Sequence, residues 1–124
     1  MIFIPKGLNY TKNHLWLRKI GSCDFYVGLT DYMQKEIGKI DVIEIDQKGI
    51  NMQKGKTWGI VYGLNQKFSL IAPLDCYVLA INPVLEQKAS LVNTDPYNHW
   101  FLRVALRTAN DYFLSNLEYL KLIK

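Results

Sequence analysis

Apolar positions in this chain recur mostly at a spacing of two, in short runs, and polar clusters holding Gly, Asn or Pro separate the runs. That rhythm predicts strands and tight turns. Residues 10–20 (YTKNHLWLRKI) alternate loosely and predict a strand; GSCD then turns the chain into a second strand, FYVGL, so 10–29 form a hairpin. Thr30 is placed to cap a short helix over DYMQKEIG, with Asp31 near its positive end and Gly38 stopping it. KIDVIEID (39–46) returns to strand, and QKGINMQKG (47–55) is a polar connection. KTWGIVY, FSLIA and CYVLAIN follow as strands, with Gly55-X3-Gly59 and Pro73 predicting sharp corners.

From Pro83 to Tyr97 the alternation weakens into a connection with one helical turn around 84–88 and a turn at Asp95-Pro96-Tyr97. WFLRVAL (100–106) predicts a last strand. Asn110 is placed to cap a helix over 111–122, where Phe113, Leu117 and Leu120 share one face and Leu114 widens it. That stripe predicts a helix docked by its apolar side. Many short strands with few helices describe a mainly β chain, an antiparallel sandwich or small barrel.

Composition narrows the picture. A length of 124 residues predicts one domain, 1–124, and 49% hydrophobic with 21% charged residues fits a folded globular chain. The 13% aromatic content suits core and cross-strand sites. A net charge of +4 comes from scattered lysines rather than a basic stripe, so a mildly basic solvated surface is expected and nucleic acid is not. Lys48, Lys54 and Lys56 form the tightest basic group and would suit an acidic partner protein. Cys23 and Cys76 sit in apolar segments and are expected to be buried thiols. MIFIPKG has too few apolar residues before Pro5 for a signal peptide or membrane span, and it does not resemble a transit peptide, so a cytoplasmic location is expected.

The residues that carry catalysis elsewhere are missing from any useful spacing. No glycine group forms a phosphate loop, His14 and His99 stand apart from other ligands so no metal is expected, and no Ser or Cys lies in a nucleophile motif. Asp41, Glu44 and Asp46 read as solvated strand charges, and His14 as a packed, hydrogen-bonded histidine. No catalytic residue and no enzyme activity are expected.

Four stretches taken together are YTKNHLW (10–16), VGLTDYMQKEIGKI (27–40), KGKTWGIVYGLNQKFSLIAPLDCYVLAIN (54–82) and LVNTDPYNHW (91–100). In this order and spacing they resemble the glycine cleavage system H protein. The resemblance implies a lipoyl-domain-like barrel-sandwich hybrid of antiparallel strands, with a short helix after the first hairpin and a C-terminal helix. It also implies a carrier whose lipoyl arm, amide-linked to a lysine at a hairpin tip, moves an aminomethyl group from glycine decarboxylase to an aminomethyltransferase and is reoxidised by a dihydrolipoyl dehydrogenase.

Laid on this chain, the family's anchor pattern, close to G-[VI]-V-E-[SA]-V-K-A, falls on Gly59, Ile60, Val61, Tyr62, Gly63, Leu64, Asn65 and Gln66. The lysine position is Asn65, whose carboxamide nitrogen shares its lone pair with the carbonyl and is no acyl acceptor. Asn suits a turn and tolerates left-handed backbone angles. Lys67, roughly 7 Å further along at about 3.3 Å per residue, is the alternative attachment point. The usual His-Glu-Trp reads His14-Leu15-Trp16, and the usual Gly-Asp reads Gly38-Lys39, so two acids of an acidic carrier face are missing. LVNTDPY reads as scaffold.

The resemblance therefore implies an H-protein homologue without lipoate, expected to bind glycine decarboxylase, the aminomethyltransferase, the dihydrolipoyl dehydrogenase, a lipoate ligase or a true H protein. The alternative is a working carrier with lipoate on Lys67. A basic structural or nucleic-acid-binding module is the weakest reading.

Overall fold

The computed structural model describes residues 2–46, 51–106 and 113–124. Among the described residues, nine strands form two antiparallel sheets. The larger is built from β1 (Asn9–Tyr10), β2 (Leu15–Lys19), β3 (Asp24–Leu29), β5 (Asn51–Met52), β8 (Cys76–Ile81) and β9 (Leu102–Leu106), in the order β1-β2-β3-β9-β8-β5. The smaller holds β4 (Ile40–Ile45), β6 (Thr57–Gly63) and β7 (Lys67–Ile71), in the order β4-β6-β7. The helices among the described residues are α1 (Asp31–Ile37), α2 (Val84–Gln87), α3 (Leu91–Thr94) and α4 (Asn116–Ile123). This is the mainly β sandwich that the short alternating runs predicted, with a short helix after the first hairpin and a helix at the C-terminal end.

Alternation along the strands selects what is buried. Leu15 and Leu17 of β2 and Phe25, Val27 and Leu29 of β3 point into the main core, where they meet Ile43, Trp58, Val61 and Leu70 from the smaller sheet. Trp16 points the other way and is nonetheless fully buried, in a second cluster with Leu8, Tyr10, Tyr97 and Tyr119. β2 is thus covered on both faces, which explains its unbroken apolar start. Trp16 lies over its cross-strand partner Gly28, where a Cβ would come within 2.3 Å of the indole. The indole N–H donates to the Pro96 carbonyl at 3.1 Å, so the DPY turn is scaffold.

The predicted first helix holds in detail. Thr30 caps it by accepting from the Met33 amide, and Gly38 ends it at φ 82°, donating to the Gln34 carbonyl. Other elements depart from the pattern. The strand predicted over 10–20 is interrupted between β1 and β2, where the chain turns through His14 at φ 67°. The polar connection 47–55 contains the two-residue strand β5, and the connection 83–97 contains a second short helix, α3.

The last helix begins later than expected. Asn110 lies outside the described residues, and α4 is capped by Ser115, which accepts from the Glu118 amide while the Glu118 carboxylate accepts from the Ser115 amide. This capping box fixes the start. Phe113 and Leu114 precede the helix, Leu117 is 65% exposed, and Tyr119 carries the burial instead. Cys23 is exposed, against expectation, because it sits in the turn between β2 and β3; Cys76 is buried, which pushes its thiol up to about 11.

Tyr119 joins three elements. Its hydroxyl meets His14 Nδ1 at 2.8 Å and Thr30 Oγ1 at 2.8 Å, and its ring stacks on Tyr10 at 5.0 Å. His14 is therefore packed and hydrogen-bonded, and burial lowers its pKa below the ordinary value.

Two outcomes follow from this packing. Gly28→Ala drives a methyl into the Trp16 indole and should cost about 1–3 kcal/mol in denaturant unfolding, as overpacking of a filled core does. His14 is held neutral in the folded chain, so the unfolded chain binds the extra proton first as pH falls. Stability should then be independent of this group above about pH 6.5 and decline below it towards the depressed folded pKa. Denaturation midpoints taken across that range should show a smaller decline in His14→Asn, a residue that tolerates the left-handed backbone.

Candidate functional site

The tip of the β6–β7 hairpin is the exposed apex predicted to carry the family's attachment point. Tyr62 pairs with Lys67 as the last ladder pair, and the Gly63 amide donates to the Gln66 carbonyl at 3.1 Å, leaving Leu64 and Asn65 at the apex. Leu64 is 82% exposed. Asn65 is exposed, and its backbone stays at negative φ: His14 alone among the described non-glycine residues has a positive one. The turn therefore makes no use of the left-handed tolerance of Asn.

What fixes the apex is the end of α1. The Asn65 amide donates to the Ile37 carbonyl at 2.9 Å and the Leu64 amide to the Lys39 carbonyl at 3.0 Å. The Asn65 carboxamide adds a long contact, Nδ2 to the Glu36 carbonyl at 3.4 Å. A helix leaves its last carbonyls without internal partners, and here the hairpin supplies donors to them. Close approach is needed for this. A Cβ on Gly63 would sit 2.2 Å from Ile37 Cγ2 and 2.6 Å from the Ile37 carbonyl oxygen, which explains glycine at that position.

The α1 terminus is itself clamped by Asn93 of α3. Asn93 Oδ1 accepts from the Ile40 amide at 2.7 Å, while Nδ2 donates to Gln34 Oε1 at 2.7 Å and to the Gly38 carbonyl at 3.0 Å. Gln34 in turn donates to Asp31 at 2.8 Å. Burial alone would raise the Asp31 pKa, but hydrogen bonds from the Phe3 amide and Gln34, with Lys35 beside it at 3.2 Å, bring it below the usual value. A continuous chain of polar contacts thus runs from the start of α1 to the hairpin apex. The sequence places Asn93 only within the LVNTDPY scaffold, and nothing local there signals a partner so far along the chain.

Lys67 opens β7 and is exposed, standing in the ladder opposite Tyr62 rather than at the apex. Tyr62 donates its hydroxyl to Glu44, which raises the tyrosine pKa. Asp41, Glu44 and Asp46 are all exposed, with a register shift between Ile40 and Val42, and no group of three or more potential metal ligands exists among the described residues. His14 lies with Tyr32 and Phe68, its ring centre 5.3 and 6.2 Å from theirs.

The sequence profile described as Glycine cleavage H-protein matches residues 8–124. This chain belongs to that family. It is 35% identical over 121 residues to the glycine cleavage system H protein of Clostridioides difficile, covering 96% of each chain. It is 33% identical over 112 residues to that of Mycobacteroides abscessus, covering 90% of this chain and 86% of the relative. The fold matches the crystal structure of a glycine cleavage system H protein from Mycobacterium marinum at a TM-score of 0.85 and 22% identity, covering 95% of this chain and 97% of that one.

Proteins of the family are lipoyl carriers and not themselves enzymes, they carry lipoate when lipoylated, and they work with the glycine cleavage enzymes. No helix among the described residues is long and apolar enough to cross a membrane. The donor set at the apex does not fit amide-linked lipoate: Asn65 has no basic nitrogen, and its Nδ2 donates to the Glu36 carbonyl at 3.4 Å.

If the apex is held by α1, a methyl at Gly63 must push the two apart. Gly63→Ala should raise the hydrogen-exchange rates of the Leu64 and Asn65 amides selectively and cost about 1–3 kcal/mol. Unchanged protection of those two amides would contradict the clamp.

Proposed function

We propose that this chain is an H-protein homologue that keeps the carrier fold without carrying lipoate, and that it acts as a binding or adaptor protein. By family analogy its partners are glycine decarboxylase, the aminomethyltransferase, the dihydrolipoyl dehydrogenase or a lipoate ligase, and its location is the cytoplasm. The observation that carries this reading is Asn65 at the hairpin apex, a carboxamide bound back to the helix terminus where acylation needs a free primary amine. The fold around it is intact, so recognition through the surface survives while the cargo point does not.

The basic side chains around the apex support a changed choice of partner. Lys39 follows the Gly38 cap and Lys67 opens β7, and both are exposed. A partner that reads an acidic carrier face meets a different field here. The second reading rests on Lys67, an exposed primary amine within the same hairpin, which would make the chain a carrier displaced by two residues from the usual register.

Intact mass of the protein from its native host separates the two readings. An unmodified mass is expected; one lipoyl group mapped to Lys67 would replace the adaptor with the carrier. Asn65→Lys offered lipoate and a lipoate ligase tests the geometry separately. Modification at residue 65 in the variant, with none in the parent chain, is the expected outcome.

A further inference from the structure

The outer face of the smaller sheet joins neither core cluster. Cross-strand partners in an antiparallel ladder point to the same side, so two rows stand on this face. One is Val42, Tyr62 and Lys67; the next is Glu44, Ile60 and Ser69. Ile43, Val61 and Leu70 alternate with them and fill the core. Val42 is 44% exposed, and Ile60 and Tyr62 on the central strand β6 are half-buried.

The charges of these two rows are divided by strand. Glu44 stands on β4 and Lys67 on β7, with β6 between them, roughly 10 Å apart at about 4.8 Å per strand spacing. Lys67 makes no ion pair among the described residues. Glu44 accepts the Tyr62 hydroxyl, and a carboxylate keeps further acceptor sites beyond one such bond. Ile60 and Tyr62 thus form a line with an acid on one flank and a base on the other. A partner surface of a single sign repels one flank. A second copy of the same face, turned about a two-fold axis along β6, brings a base to the acid and an acid to the base. Positions 60 and 62 then face their own copies. The family's anchor pattern has Glu where this chain has Tyr62, which would oppose two carboxylates there; Tyr62 removes that repulsion.

We propose that two copies of this chain associate through the outer faces of their β4-β6-β7 sheets, with Lys67 of each copy against Glu44 of the other and Ile60 and Tyr62 packed between. Sheets meeting face to face align within about 30°, which keeps each β7 over the facing β4. The face covers roughly 14 by 16 Å, at about 4.8 Å between strands and 3.3 Å per residue. That is well below the roughly 800 Å² per partner of a stable interface, so the dimer is weak and transient. The contact makes no use of residue 65 and stands apart from the adaptor reading. Lipoate on Lys67 would remove its charge, so the unmodified chain is the species that pairs.

Sedimentation equilibrium of the full chain, its unmodified mass verified beforehand, reads the association directly. A monomer–dimer equilibrium with a Kd on the order of 0.1–1 mM is expected. Lys67→Glu and Glu44→Lys each set like charges together and should weaken the dimer at least about fivefold, while the double exchange restores it to within about twofold. The two single exchanges move the net charge in opposite directions, so a loss in both reports the local pair. Tyr62→Glu should weaken the dimer at least about tenfold. Circular dichroism checks that each variant is folded, and dilution of the labelled parent chain should shift the Val42 and Ile60 methyl resonances. A monomer at every concentration up to about 2 mM, a double exchange that fails to restore the dimer, full association in a folded Tyr62→Glu variant, or dilution shifts confined to the larger sheet would overturn the proposal.

Discussion

The structure around the candidate site depends on one contact, the meeting of the β6–β7 apex with the C-terminal end of α1. Both partners bring unfinished backbone. The helix has a carbonyl at Ile37 without an internal donor and the chain just beyond its cap has another at Lys39, while the turn has amides at Leu64 and Asn65 without ladder partners. Each would otherwise need water or a side chain. Joining them fixes the apex against a helix that is itself fixed at both ends. The N-terminal end is tied by Thr30 to Tyr119 and by Asp31 to the Phe3 amide; the C-terminal end is tied by Asn93. The hairpin therefore inherits its rigidity from contacts far from it in sequence.

A second constraint is the burial of β2 on both faces. Leu15 and Leu17 commit one face to the main core, and Trp16 commits the other to the aromatic cluster under α4. Burying Tyr97 and Tyr119 is acceptable because their hydroxyls are paired. Tyr97 donates to the Phe3 carbonyl at 2.7 Å and accepts from the Asp31 amide at 3.1 Å. Burial also pushes the Tyr97 hydroxyl up to about 12, so it stays neutral as a donor at ordinary pH. The aromatic residues thus act as structural hydrogen-bonding groups, in line with their reading as packing rather than ligand cage.

The family's carrier function and this chain's apex can be separated on physical grounds. Carrier chemistry requires a nucleophilic amine on an accessible loop; the apex is accessible here, and its Asn65 side chain is an amide. Positioning resides in a backbone bond that any residue at 65 except proline can make, while chemistry resides in a single side chain. One substitution can remove the second without disturbing the first. The Asn65 carboxamide even adds a contact to the helix end.

The sequence by itself determined the class of fold, most strand positions, the Thr30 and Gly38 caps and the absence of an amine at the apex. These are local properties: alternation, cap chemistry and residue identity act within a few positions of each other. It misjudged α4, because the apolar spacing of Phe113, Leu117 and Leu120 is compatible with a helix whose start a Ser115–Glu118 capping box then shifted. It also missed β5 and α3, which are too short for a period to show. Only the tertiary structure decided that Asn93 would clamp α1, that Gly63 must be small because Ile37 presses on it, and that Glu44 and Lys67 would flank β6 on one face. Those facts depend on pairs of residues distant in sequence whose separation in space no local pattern encodes.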